Sequence, residues 1–364
     1  MRQTARNVLL AWGVAFATLA TPAAAGEPAL QPLPPAAVVD PARAELGRHL
    51  FFESRLSGDG SRSCASCHVP DKAYADGLPL ARGYNGTEHF RNAPGLLSVR
   101  RRARLMWDGR RSGDDLAGAV REMVTDAQTM NGDTRVIAER IRQIPPLFAL
   151  WQRAYGAQAE LRGEQAYDAI AEFLRTLDFG VSAFDRHLAG DRSALPPLAA
   201  EGLRLFDGKA GCTQCHRGPL LSDGRLHRLG VPENPAILRD PLRTVSLLRH
   251  QAEHGMPDPM AVRTDLGAFT ITHQSADRGA FVTPTLRGLA QTGPYMHNGV
   301  FASLDEVVAF HERGGGPGSE LRALALTAHE RQALVAFLQA LSAPLPPLVV
   351  PPPFDYGSVA GDAQ

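Results

Sequence analysis

Apolar positions along this chain recur mostly at three- and four-residue spacing, in short blocks separated by polar, Gly-rich and Pro-rich stretches. Ala166, Ile170, Phe173, Leu174 and Leu177 form one stripe of a helix over 164–177. Helical spacing also covers 134–142 and 146–155. Asp40-Pro41 reads as a helix start, with Asp as cap and Pro in the first turn. Ser303-Leu304-Asp305-Glu306 is a capping box that opens a helix through His311, stopped by Gly314-Gly315-Gly316. Thr327-Ala328-His329-Glu330 opens another, to about Leu341. Strand signals are few, so the predicted fold class is mainly α.

Two stretches resemble each other. Glu45-Leu46-Gly47-Arg48-His49-Leu50-Phe51-Phe52 and Glu201-Gly202-Leu203-Arg204-Leu205-Phe206-Asp207 both read as a short helix with Leu and Phe on one face, followed by a Gly/Ser loop. An internal repeat of a small helical domain follows. Ala194-Leu195-Pro196-Pro197 marks the boundary, which gives domains at 26–195 and 196–343. Residues 344–364 are proline-rich and then polar, and read as an extended tail with no core role.

The first 25 residues read as an export signal. Arg2 and Arg6 precede an apolar run over 8–19, and Ala23-Ala24-Ala25 offers a cleavage site. The run is short for a membrane anchor, and Pro22 follows it. The expected location is therefore the periplasm, with no stable membrane insertion. Lys and Arg number 38 against 38 Asp and Glu, a balance that gives no footprint for nucleic acid.

The chemistry sits in the cysteines. All four fall in Cys64-Ala-Ser-Cys67-His68 and Cys212-Thr-Gln-Cys215-His216, each directly after one copy of the repeat. C-x-x-C-H is the attachment string of a c-type haem. Its two thiols bond the porphyrin and the adjacent His becomes the proximal iron ligand. A zinc site, a redox pair and two disulfides are the other uses of such spacing, but a zinc site would rarely place a His against each pair. Two covalently bound haems are expected, one in each half.

With these strings the chain resembles the bacterial di-haem cytochrome c peroxidase and MauG superfamily. The resemblance also rests on Phe90-Arg91-Asn92-Ala93-Pro94, Trp107-Asp108-Gly109-Arg110, Thr283-Pro284-Thr285-Leu286-Arg287 and Thr292-Gly293-Pro294-Tyr295-Met296-His297-Asn298-Gly299. It implies two cytochrome-c-like domains with long loops. The first holds a peroxide-reacting haem on His68, the second an electron-transfer haem on His216. It places Trp107 between the haems. It also implies a calcium ion held by Asn92 and by the backbone carbonyls of Thr292 and Pro294, oxygen donors that suit a hard cation.

The departures from the family pattern carry further expectations. The family's sixth ligand to the second haem lies sixteen residues after the Tyr corresponding to Tyr295, and is Met or Tyr. Here it is His311, which predicts ligation by His216 and His311, with Met296 as the alternative. The His that closes the first haem in many relatives is replaced by Tyr84, which predicts an open distal face there. Ala119, Met123 and Thr129 stand where the family has Gln, Pro and a catalytic Glu. Glu122, Asp126 or Gln128 is then needed to move protons, with Glu122 the leading candidate. Arg100, Arg101, Arg102 and Arg104 read as a solvated or propionate-pairing face, or as a docking patch. His227, His250, His254 and His273 read as scattered loop histidines or as a surface metal site.

The function expected from the resemblance is that of a MauG-like enzyme. It uses hydrogen peroxide to form a high-valent di-haem state that oxidises a Trp or Tyr of an exported partner protein, as in the methanobactin-associated MbnH group. A cytochrome c peroxidase fed by a small cytochrome or cupredoxin is the first alternative, and a non-catalytic electron carrier the second.

Overall fold

The computed structural model describes residues 29–354; the export signal expected at 1–25 lies outside them. The helices run α1 Pro41–Phe52, α2 Leu116–Thr125, α3 Thr134–Arg142, α4 Pro145–Tyr155, α5 Glu164–Thr176, α6 Ala183–Leu188, α7 Pro197–Asp207, α8 Ala236–Arg239, α9 Pro241–Glu253, α10 Phe269–Thr272, α11 Leu304–Glu312 and α12 Ala328–Ala340. The four strands form two small antiparallel ribbons, β1 Arg104–Leu105 with β2 Arg111–Ser112, and β3 Leu226–Arg228 with β4 Ala280–Val282. The fold is mainly α, as expected.

The predicted starts form as the side chains dictate. Asp40 accepts from the amides of Ala42 and Arg43. Ser303 exchanges hydrogen bonds with Glu306, and Thr327 with Glu330, each pair relieving amides that the first helical turn leaves unpaired.

The internal repeat is visible as packing. In the first half α1 crosses α5, and a Cβ at Gly47 would lie 1.8 Å from the carbonyl oxygen of Ala169. In the second half α7 crosses α12, and a Cβ at Gly202 would lie 1.9 Å from the carbonyl oxygen of Ala333. Each half thus closes on itself by two helices meeting backbone to backbone at one glycine. Around these crossings lie two apolar cores, one built on Leu46, Leu50, Phe51, Ile170 and Phe173, the other on Phe206, Val308, Leu334 and Phe337. Phe184 and Leu195 already belong to the second core, so the chain enters the second half at α6 and not at 196.

The two halves are laced together at both termini. The amide of Gly218 donates to the Ala29 carbonyl, and Arg101 donates to the carbonyls of Pro34 and Pro35. The proline-rich tail is extended as expected, but its lack of a core role is corrected. Leu345, Leu348 and Phe354 pack on the first core, and Phe354 stacks on His49 at 4.8 Å. A polyproline-like run makes no internal hydrogen bonds, so its carbonyls are free to accept from Arg48 and Arg55.

Between the halves lies a buried ionic cluster. Arg91 grips Asp265 through two bonds of 2.6 and 2.8 Å and donates to Asp108 at 2.5 Å; all three are under a tenth exposed. Burial alone would raise the Asp265 carboxyl, but Arg91 outweighs it and holds the carboxyl at about 2.

Two outcomes test this packing. Gly→Ala on an exposed helix face stabilises by about 1 kcal/mol. Gly47→Ala or Gly202→Ala should instead destabilise by ~1–3 kcal/mol or more, because the methyl group meets backbone; thermal unfolding reads the sign. Asp265→Asn should cost ~3–5 kcal/mol by leaving Arg91 short of a buried partner. The depressed Asp265 gives stability that is full above its unfolded pKa of about 3.9 and is lost as pH falls toward about 2. The variant's urea midpoint should therefore lose part of the wild-type fall across that window.

Candidate functional site

Both C-x-x-C-H strings fold into a single 3-10 turn, Cys64–Ser66 and Cys212–Gln214, that lets the next His amide return to the first Cys carbonyl at 2.9 Å in each. His68 Nδ1 then donates to the Tyr74 carbonyl (2.8 Å), and His216 Nδ1 to the Leu221 carbonyl (2.9 Å). The same bond recurs at His311, whose Nδ1 donates to the Val307 carbonyl (2.8 Å) one turn back in α11. A donor bond at Nδ1 fixes the tautomer and leaves Nε2 with its lone pair, the arrangement of an iron-ligating imidazole. Burial lowers the pKa of all three rings, against a smaller opposing pull from those carbonyls. His216 is held at about 4, so the rings stay neutral and able to ligate at neutral pH.

Burial pushes the Cys64 and Cys212 thiols up to about 12 and the Cys67 thiol to about 11. The cysteines are unpaired with one another.

His216 and His311 line one cavity of about 460 Å³. Its walls are mostly apolar, including Phe206, Leu220, Leu304, Val308 and Leu334, and Cys212 also lines it. An apolar chamber with two neutral imidazoles and an attachment thiol fits a haem. Met296 lines it too, so the geometry admits both sixth-ligand candidates. Only His311 comes with its second ring nitrogen already tied.

Trp107 stands in the turn between β1 and β2. Its indole N–H donates to the Asn92 carbonyl (2.9 Å), and the ring lines the same cavity. The cavity also brings together Asn92, Thr292 and Pro294. The Asn92 amide nitrogen donates to the Leu78 carbonyl (2.7 Å), which leaves its Oδ1 as an available oxygen. Among the described residues, neither the Thr292 nor the Pro294 carbonyl accepts a hydrogen bond. This donor set fits a hard cation.

The distal candidates are otherwise engaged. Glu122 binds Arg110 (2.6 Å) and Arg111 (2.5 Å). Burial would raise its pKa, but the two guanidiniums hold it low, so it is a fixed anion that does not support a proton-donating role. Asp126 accepts from the amides of Gln128 and Thr129 and closes the turn after α2. Gln128 is buried and aimed at the Ser246 carbonyl in α9. Thr129, at the family's Glu position, donates to the Met123 carbonyl. The Tyr84 hydroxyl lies against Gly58, where a Cβ would stand 2.9 Å from it.

The loop histidines do not form one metal site. His250 and His254 rings lie 4.4 Å apart, whereas His227 is held elsewhere between Asp223 (3.0 Å) and Glu320 (2.9 Å). Among the described residues, the only cluster of three or more metal-type ligands is Cys215, Asp223 and His227, and Cys215 is the second thiol of the second C-x-x-C-H string. Sequence reasoning missed the Arg91, Asp108 and Asp265 cluster. Arg91 and Asp108 sit in quoted strings, but nothing in the sequence signals their distant partner.

Residues 41–193 match the family model for di-haem cytochrome c peroxidase. A cytochrome-c peroxidase IdrP2 of Denitromonas iodatirespirans is 48% identical over 94% of this chain and 93% of its own length. The methylamine utilization protein MauG of Methylorubrum extorquens is 33% identical over 86% of this chain and 81% of that protein. The crystal structure of a MauG-like protein associated with microbial copper homeostasis superposes with a TM-score of 0.70 at 26% identity, covering 88% of this chain and 95% of that one.

The ligand assignment has a direct test. His311→Ala should turn the second haem high-spin in the ferric absorption spectrum, whereas Met296→Ala should leave it low-spin. The opposite pattern would assign the sixth position to Met296.

Proposed function

The chain belongs to the di-haem cytochrome c peroxidase and MauG family and is a haem oxidoreductase, and within that family we propose that it is a periplasmic peroxidase that reduces hydrogen peroxide with electrons from a small redox protein. This is the first alternative to the MauG-like expectation. The relative at 48% identity, named a cytochrome-c peroxidase, weighs for it over the MauG relative at 33%. The structural observation that carries the proposal is Trp107, fixed to the Asn92 carbonyl in the wall of the chamber that His216 also lines, where it can pass electrons between the halves. No described helix is long and apolar enough to cross a membrane.

When bound, the haem irons supply two-electron reduction of peroxide in the first half and storage of single electrons in the second. The chain's own residues do the rest. His68, His216 and His311 hold Nε2 outward by bonding Nδ1 to carbonyls. The Trp107 indole, fixed by its bond to Asn92, shortens the path between the halves. Asn92, with the Thr292 and Pro294 carbonyls, is suited to bind calcium and so to brace the wall that carries Trp107. Each peroxide takes two electrons and two protons and leaves as two waters. With Glu122 held as an anion, the protons come from solvent rather than from that carboxylate.

Oxidation of an aromatic side chain on a partner protein is the second reading. The MauG-like fold neighbour and the histidine at position 311, where a peroxidase has methionine, favour it.

Mixing the protein with hydrogen peroxide and a reduced small cytochrome c separates the two. The proposal expects two cytochromes oxidised per peroxide. A persistent oxidised protein that ignores the cytochrome would sink it and leave the partner-oxidation reading.

A further inference from the structure

Four arginines crowd the chain just before Trp107, and three are accounted for. Arg100 and Arg101 share Asp178 (2.8 and 3.1 Å), and Arg104 is exposed to solvent. Arg102 is different. Its Nη2 donates to the Gly95 carbonyl (2.5 Å) and, at longer range, to the Leu97 carbonyl (3.4 Å), while its Nε is shut off from solvent with no hydrogen-bond partner. Among the described residues it has no carboxylate within 4.0 Å. Burial pulls its pKa down to about 10, as befits a guanidinium without a counter-ion.

Its position matters as much as its isolation. Arg102 lines the chamber of His216, His311 and Trp107. Its charge also bears on His68 in its own, first half. A half-buried guanidinium with no counter-ion and a sealed Nε is costly unless an anion completes it. The planar fork of an arginine matches a carboxylate. The proline turn at Asn92-Ala93-Pro94-Gly95 holds the fork from behind through the Gly95 carbonyl, leaving Nε without a partner. Arg100 and Arg101, satisfied by Asp178, do not compete for such an anion.

We propose that Arg102 is a positioning residue for the cofactor, its guanidinium pairing with a haem propionate carboxylate at the junction of the two halves and raising that haem's reduction potential. The proposal rests on the two-haem reading. A fixed positive charge beside a propionate favours the reduced iron, whose net charge is one unit more negative. Because Arg102 comes from the first half and lines a chamber built mostly by the second, the pair would also tie cofactor seating to the docking of the halves.

The test is a redox titration of the holoprotein, followed by absorption, on wild type, Arg102→Gln and Arg102→Lys, with covalent haem counted by mass spectrometry. Two haems are expected in each. Arg102→Gln should lower the midpoint of one haem and leave the other in place, and Arg102→Lys should restore most of the loss. Unchanged midpoints in Arg102→Gln with both haems attached overturn the anchor. Fewer than two haems in the wild type overturns the two-haem reading instead. Should Arg102→Gln fail to mature, resonance Raman of Arg102→Lys decides. The propionate bending mode should shift when a bidentate fork becomes a single ammonium, and an unshifted mode overturns the proposal.

Discussion

The structure depends on one small interaction used three times: an imidazole Nδ1–H bonded to a nearby backbone carbonyl. At His68 and His216 the carbonyl lies a few residues downstream, across the turn that the C-x-x-C-H string imposes. At His311 it is the preceding turn of α11. In each case the bond chooses the tautomer and aims the ring, while burial keeps it neutral. The helices, the crossing glycines and the apolar walls hold these three carbonyls and rings in place. They divide unequally, two in the chamber of the second half and one in the first. That inequality is what a division of labour between an electron-storing site and a peroxide-reacting site needs.

The junction between the halves is where charge is spent. Arg91, Asp108 and Asp265 form a buried, fully paired cluster that fixes how the halves meet. Arg110 and Arg111 hold Glu122 in the same region. Trp107 sits within this framework, between Asp108 on its own strand connection and the carbonyl of Asn92. A rigid junction of this kind suits electron transfer, which depends on a constant distance more than on motion. The crossing of both termini to the opposite half adds to that rigidity.

Much of this was legible in the sequence because the signals are local. Caps at Asp40, Ser303 and Thr327, the C-x-x-C-H turns and the repeated glycine are each decided within a few residues. His311 was singled out for a different reason, a position counted from Tyr295 within a family pattern, and the structure brings it into the chamber of His216. What escaped is non-local. A proline-rich tail looks idle until its carbonyls meet Arg48 and Arg55 some three hundred residues away. Glu122 looks like a free acid until Arg110 and Arg111 are folded against it. The second core claims Phe184 before the proline pair that seemed to divide the chain. The loop histidines look like one group in sequence, yet His227 is drawn off by Asp223 and Glu320.

The central claim is that the two irons are held unequally, one by a single imidazole and the other by two. Electron paramagnetic resonance of the resting, fully ferric holoprotein tests it most directly. The account predicts one high-spin signal and one low-spin signal of the two-imidazole type, in equal amounts. Two low-spin signals, or a low-spin signal carrying the signature of a thioether ligand, would contradict it.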